Sequence, residues 1–250
     1  MKAKIKIAAA ILAVLLISSC SREGFKESLG QKNENNGEKP ASSAASVEQS
    51  AEDFIFDLDS KEYSEDKVNY YYALPVAAND MAEKAVEKIS DQLKSIISSI
   101  PAEVAAGREY NDVSIYDAVT QNDGKIFSVI YEVELSLNDD ELENYAVGLV
   151  FDATTGEKKQ LKDLMDENTF ITLVLDEQTS KLSGRKEEVV AKKRAVLNEE
   201  GEKALLKRIT AKGGLDVLLN ASYYVDGSDL VAIFAADQEL GGVIEVSVSM

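Results

Sequence analysis

Residues 125–151 read KIFSVIYEVELSLNDDELENYAVGLVF, and this stretch decides the fold. In 125–137 apolar and polar residues alternate. Phe127, Val129, Tyr131, Val133, Leu135 and Leu137 fall on one side; Ser128, Glu132, Glu134 and Ser136 fall on the other. A period of two is that of a β-strand with one buried face. Residues 145–151 repeat the pattern with Tyr145, Val147, Leu149 and Phe151. Between them, 138–144 (NDDELEN) reads as a polar loop, so the two strands are expected to pair antiparallel as a hairpin.

Working outward, a short strand is expected over 53–59 and an aromatic one over 68–76, ending at Pro75. Residues 79–101 predict a helix. Asp80 is the expected cap, with Glu83 completing a capping box. Val86, Ile89, Leu93, Ile96 and Ile100 recur at steps of three and four, and Pro101 is the expected stop. Residues 163–212 read mainly as helix, although FITLVL (170–175) suits a strand equally well, and Gly213-Gly214 close that region. Asp226-Gly227 sits between two apolar runs, a hairpin signal, and 241–249 alternate as a last strand. Helices grouped between antiparallel strands predict an α+β fold, an antiparallel sheet with helices packed on it. The folded part is read as 53–250, with an N-terminal subregion of about 65–137 and a C-terminal one of 138–250.

The amino terminus has a different character. Lys2, Lys4 and Lys6 precede an apolar segment, Ile7 to Ile17, of 11 residues. A helix needs about 20 to span a bilayer, so residues 1–19 read as a signal peptide. Ile17-Ser18-Ser19-Cys20 resembles the lipobox of bacterial lipoprotein precursors, and Cys20 is the single cysteine of the chain. The resemblance implies that Cys20 is acylated and becomes the first mature residue. More than one acyl chain, at about 0.8 kcal/mol per methylene, gives stable anchoring. Residues 20–52 are rich in Ser, Asn, Glu and Lys and cannot bury enough apolar surface to order themselves. They read as a lipidated tether with a mean reach of about 30 Å. The expected location is the cell envelope, outside the cytoplasm, held to a membrane by lipid.

Forty-five acidic against 27 basic residues give a net charge of −18. Such a chain is repelled by nucleic acid and by anionic headgroups, and a cationic partner or plain solubility is the expected meaning of the charge. Histidine and tryptophan are absent, which excludes a Ser-His-Asp triad and a histidine zinc site. With Cys20 given to lipid, no thiolate nucleophile remains, no disulfide can form within the chain, and no cofactor is implied. Asp139, Asp140, Glu141 and Glu143 crowd the expected loop. They suit a cationic partner; as calcium ligands they lack the alternate spacing and the glycine, and a solvated turn is the simpler role. Asp226 to Asp229 read as a plain turn. Tyr70, Tyr71 and Tyr72 offer a sugar-stacking face or strand packing. Glu132 and Glu134 are the carboxylate pair a hydrolase would need, provided a cleft holds them.

Two stretches, VGLVFDATTGEKKQLKDLM (147–165) and ASYYVDGSDLVAIFAADQELGGVIEVSVS (221–249), together resemble the domain of unknown function of RsiV-type anti-sigma factors and PdaC-type peptidoglycan deacetylases. Upstream, YYYALPVAANDMAEKAVEKISDQL (70–93) looks like that family's usual N-terminal companion. The RsiV-type domain binds lysozyme, so the resemblance implies a non-catalytic binding protein for a cationic protein such as lysozyme, or for a cell-wall ligand. The family's histidine-bearing loop is replaced here by NDDELEN, so no functional residue is carried over. A carboxylate-based hydrolase or accessory factor acting on peptidoglycan is the alternative.

Overall fold

The computed structural model describes residues 50–138, 141–184 and 186–250. The expected signal peptide, Cys20 and nearly all of the expected tether lie outside the described residues, as do Asp139 and Asp140. The first described residue, Ser50, caps a short 3-10 turn, Ala51–Phe54, with its side chain. Phe54 and Phe56 are buried, and the Asn122 amide pairs with both backbone groups of Phe56 (3.1 and 2.8 Å). The expected strand at 53–59 therefore starts late. Its first half is spent burying two phenylalanines, and β1 runs Asp57–Glu65.

The first sheet has the order β1-β2-β3-β4-β5, with β2 Val68–Val76, β3 Asp112–Asn122, β4 Ile126–Asn138 and β5 Glu141–Asp152. The expected hairpin is present: Phe127 faces Phe151, Val129 faces Leu149 and Tyr131 faces Val147. The acidic segment 138–144 is not a loop of that length. Asn138 already pairs with Glu141, so Glu141 and Glu143 belong to β5. One pair departs from the antiparallel expectation: β2 and β3 run parallel. Parallel neighbours need a crossover, and the helix between them supplies it.

That helix, α1 Glu83–Ala105, lays Ile89, Leu93, Ile97, Ile100 and Val104, each at most 2% exposed, on the apolar face of the sheet. Asp80 does not cap it: the N-cap is Ala82, which has no side-chain cap bond. Asn79 instead holds the turn just before the helix, accepting from the Met81 and Ala82 amides at 3.0 and 3.2 Å. Pro101 does not stop it either; it lies inside the helix. A proline there forfeits one backbone bond, and burial of Pro101, Val104 and Ala105 holds the last turn. The chain leaves the helix through Ala106 and Gly107, both at positive φ.

The second sheet has the order β6-β9-β8-β7, with β6 Ser180–Leu182, β7 Ala221–Asp226, β8 Asp229–Ala235 and β9 Val243–Ser249. FITLVL proves helical, in α2 Glu167–Leu175. Asp166 caps it, accepting from the Thr169 amide at 2.9 Å, and Phe170, Ile171 and Val174 fill one face. The second long helix, α3 Glu187–Ile209, bends at Gly201, whose φ is 76°. Gly213-Gly214 do not end the helical region, since α4 Leu215–Asn220 follows. Leu197, Leu205, Phe170, Phe234 and Val246 join in a second core. No helix among the described residues is long and apolar enough to cross a membrane.

The two sheets meet at β7, a free edge of its own sheet. The side of β4 expected to face water is buried at its centre: Ser128 is 0% and Ile130 5% exposed. Ser128 Oγ accepts from the Val225 amide at 2.9 Å. Thr120 Oγ1 donates to the Val225 carbonyl at 2.6 Å, and Ser222 Oγ accepts from the Gly148 amide at 3.0 Å. Gly148 is required at this crossing, because a Cβ there would lie 2.5 Å from the Tyr223 carbonyl oxygen. Ile130, Ala146 and Ile233 close the seam.

Candidate functional site

The second sheet covers only part of the first, and the uncovered part carries the most distinctive surface. Register lines up one row across four strands: Glu62 opposite Tyr71, Tyr71 opposite Tyr116, Tyr116 opposite Glu132. The next row sets Asn69, Ser114, Glu134 and Asn144 side by side. Tyr71 and Tyr116 stack at 5.2 Å with planes 8° apart, and each keeps 37% of its surface exposed. The three tyrosines 70–72 thus divide by strand alternation. Tyr70 and Tyr72 pack with Tyr63 on the helix side, and Tyr71 alone points outward. Strand packing therefore takes two of the three rings and leaves one outward. Face-to-face stacking hides one face of each outward ring, so the pair is not a flat platform for a sugar.

Where this face meets β9 there is a groove of about 230 Å³, lined by Tyr116, Glu132, Glu134, Tyr145 and Glu245 among others. Partial burial, then the nearby Glu245 and Glu134, push the Glu132 carboxyl above the ordinary range. Tyr224 reaches Glu245 Oε1 at 3.5 Å. Burial, followed by the charge of Glu245, raises its hydroxyl well above the usual tyrosine value, so it stays a donor. Lys193 on α3 is 7% exposed. Burial lowers its ammonium, and attraction from Glu245 works the other way. Carboxylates beside a half-exposed aromatic pair make a surface for a cationic group, which gains from both charge and ring faces.

The residues singled out in the sequence are dispersed. Glu132 and Glu134 line the groove as the hydrolase reading requires; Tyr116 and Glu245, also in it, were not read. Glu245 comes from a strand more than 100 positions away, and nothing local marks it. Glu143 is engaged elsewhere. Arg108 grips it with two hydrogen bonds, 2.8 and 2.7 Å, and the Tyr145 hydroxyl adds one at 2.6 Å. The guanidinium, opposed by partial burial and helped by Tyr145, holds the Glu143 carboxyl below its ordinary range. Arg108 also donates to the Val104 and Ala105 carbonyls, so this pair ties the carboxyl end of α1 to β5. Asp229 accepts from Ser247 and Ser249 at 2.8 and 3.0 Å, fastening the β7–β8 turn to β9. Among the described residues no cluster of acidic side chains is arranged to hold a metal ion.

No family model and no curated protein matches the chain. Solved structures similar to it include a DUF3298 family protein from Pseudomonas aeruginosa PAO1, 8% identical over 77% of this chain and 89% of that one, with a TM-score of 0.37. A second, from Bacteroides fragilis, is 11% identical over 78% and 90%, with a TM-score of 0.43. Both of these structural neighbours are DUF3298 family proteins.

Proposed function

We propose that this chain is a lipid-anchored, non-catalytic binding protein of the cell envelope whose ligand is a cationic protein, lysozyme being the first to test. The observation that supports it is the groove, where Glu132, Glu134 and Glu245 stand beside the Tyr71–Tyr116 stack on an otherwise uncovered sheet face. The partner surface moves there from the acidic segment 139–143, because Glu143 is committed to Arg108.

Replacing Glu132, Glu134 and Glu245 together by Gln should lower the association rate with lysozyme about tenfold, within the range of electrostatic steering. The dissociation rate should change less. Steering is screened over about 8 Å at physiological salt, so the parent's rate should fall more steeply with rising salt than the variant's, which keeps the rest of the acidic charge. Acid has a related effect. As pH falls through the raised value of Glu132, that carboxylate becomes neutral, and binding weakens before ordinary carboxylates titrate. Kinetics on immobilised chain at two salt concentrations and two pH values check all of this. A parent that does not bind, or binds with rates indifferent to salt and to the triple change, defeats the reading.

Anchoring has its own test. Cys20→Ser should abolish lipid incorporation and leave the protein unprocessed or released. Cells expressing it are labelled with a fatty-acid probe and fractionated; labelling and membrane partition equal to the parent would refute the lipobox.

One observation favours the hydrolase alternative. A carboxyl raised by burial and by neighbouring carboxylates is what a general acid needs, and Glu132 is such a group. Release of soluble fragments from purified peptidoglycan by the parent but not by Glu132→Gln would move the assignment to that class.

A further inference from the structure

On the far side of the sheet junction lies a second cavity, of about 280 Å³. Its walls come from both halves of the molecule: Gly148 and Val150 of β5, the segment 158–161, the end of α3 with residues 210–213, α4, and β7. Leu161, Ile209, Val217 and Leu218 give it an apolar lining. Lys158, Lys159 and Lys212 also line it, with Glu167 the one acidic residue among them. Three lysines around one cavity is unexpected in a chain of net charge −18.

Their bonding is uneven. Lys159 is held by Asp152 at 3.0 Å. Lys158 and Lys212 form no ion pair among the described residues. Both side chains are exposed at the rim of the cavity, so their ammonium groups are open to an anion from solvent. Ser222, 2% exposed, supplies a further polar group. Its oxygen accepts from the Gly148 amide, and its own proton has no acceptor among the described residues. A buried hydroxyl with an unused proton, in a cavity rimmed by two unpaired ammonium groups, suits an acceptor that carries negative charge.

We infer that this cavity binds a small organic carboxylate, its apolar body against Leu161, Ile209, Val217 and Leu218 and its charge on Lys158 and Lys212. The site is independent of the acidic groove and would serve a ligand of opposite charge. A small concave site with an apolar lining and few polar groups is the usual form of a ligand pocket.

The test is titration of the isotope-labelled full-length chain, followed by amide NMR and calorimetry. The probes are hexanoate, its uncharged analogue hexanamide, acetyl-alanyl-alanine and inorganic phosphate. Hexanoate should give saturable shifts at residues 158–161 and 210–213, and hexanamide should bind about tenfold more weakly or worse. The double variant Lys158→Gln, Lys212→Gln should lose about tenfold in hexanoate affinity and leave hexanamide unchanged. Tighter binding of the dipeptide than of hexanoate assigns the carboxylate to a peptide terminus; the reverse assigns it to a free acid. Saturable binding of phosphate without hexanoate would overturn the proposal in favour of a simple anion site. Loss of stability in the lysine variant, with no saturable response of the parent to either carboxylate, would also overturn it. The lysines would then only neutralise the carboxyl end of α3.

Discussion

Gly148→Val should lower the melting temperature of the chain by roughly 10 °C, the effect of about 3 kcal/mol in a domain of this size. The reason is contact between backbones. An added Cβ would meet the Tyr223 carbonyl oxygen at 2.5 Å and its carbon at 2.6 Å. Neither partner is a flexible side-chain tip that can swing aside. The sheets must separate, and the bonds from Gly148 to Ser222 and from Val225 to Ser128 and Thr120 lengthen with them. Gly148→Ala should show the same direction to a smaller degree. Circular-dichroism melts of parent and both variants measure it. Equal midpoints would mean that β5 and β7 do not approach at this residue.

Val147→Asp, one position away, should be worse for a different reason. Val147 is 0% exposed and packs in the core beneath α1, opposite Tyr131. A carboxylate there has no described cation to pair with and must either stay charged without water or bind a proton at neutral pH. Either course costs about 4 kcal/mol or more. The chain should melt more than about 10 °C below the parent, or fail to accumulate folded. Val147→Ala separates the two contributions, since it removes volume without adding charge. A melt unchanged by Val147→Asp would place that side chain outside the core.

How much of this was legible follows from what each feature depends on. The β4–β5 hairpin depends on alternation within a few residues, and alternation is visible. Helix α1 is legible by its period but not by its ends. No side chain caps its start, where Asp80 was expected to, and packing of Val104 and Ala105 carried the helix past Pro101. The length of the acidic turn was misread because Glu141 and Glu143 are polar residues on an edge strand. What places Glu143 is Arg108, and no local pattern announces a partner 35 positions away. The groove was half legible: Glu132 and Glu134 follow from strand phase, but Tyr116 enters only because β3, a strand not read from the sequence, pairs with β4, and Glu245 only because the sheets meet. Gly148 did carry a signal. A glycine inside a strand marks close approach of another backbone, and YAVGLVF holds one.

The hydroxyls at the sheet junction have a consequence for how the protein behaves in a crowded compartment. A strand with one unpaired side is a template onto which other chains can add, and long free edges invite assembly into aggregates. On β7 that side is turned inward. Val225 spends its N–H on Ser128 and its C=O on Thr120, and each bond ends there, since a hydroxyl cannot pass the ladder on as another backbone would. The same two side chains that join the halves therefore act as a stopper. They seal an adhesive border inside the molecule with two polar residues set between the sheets.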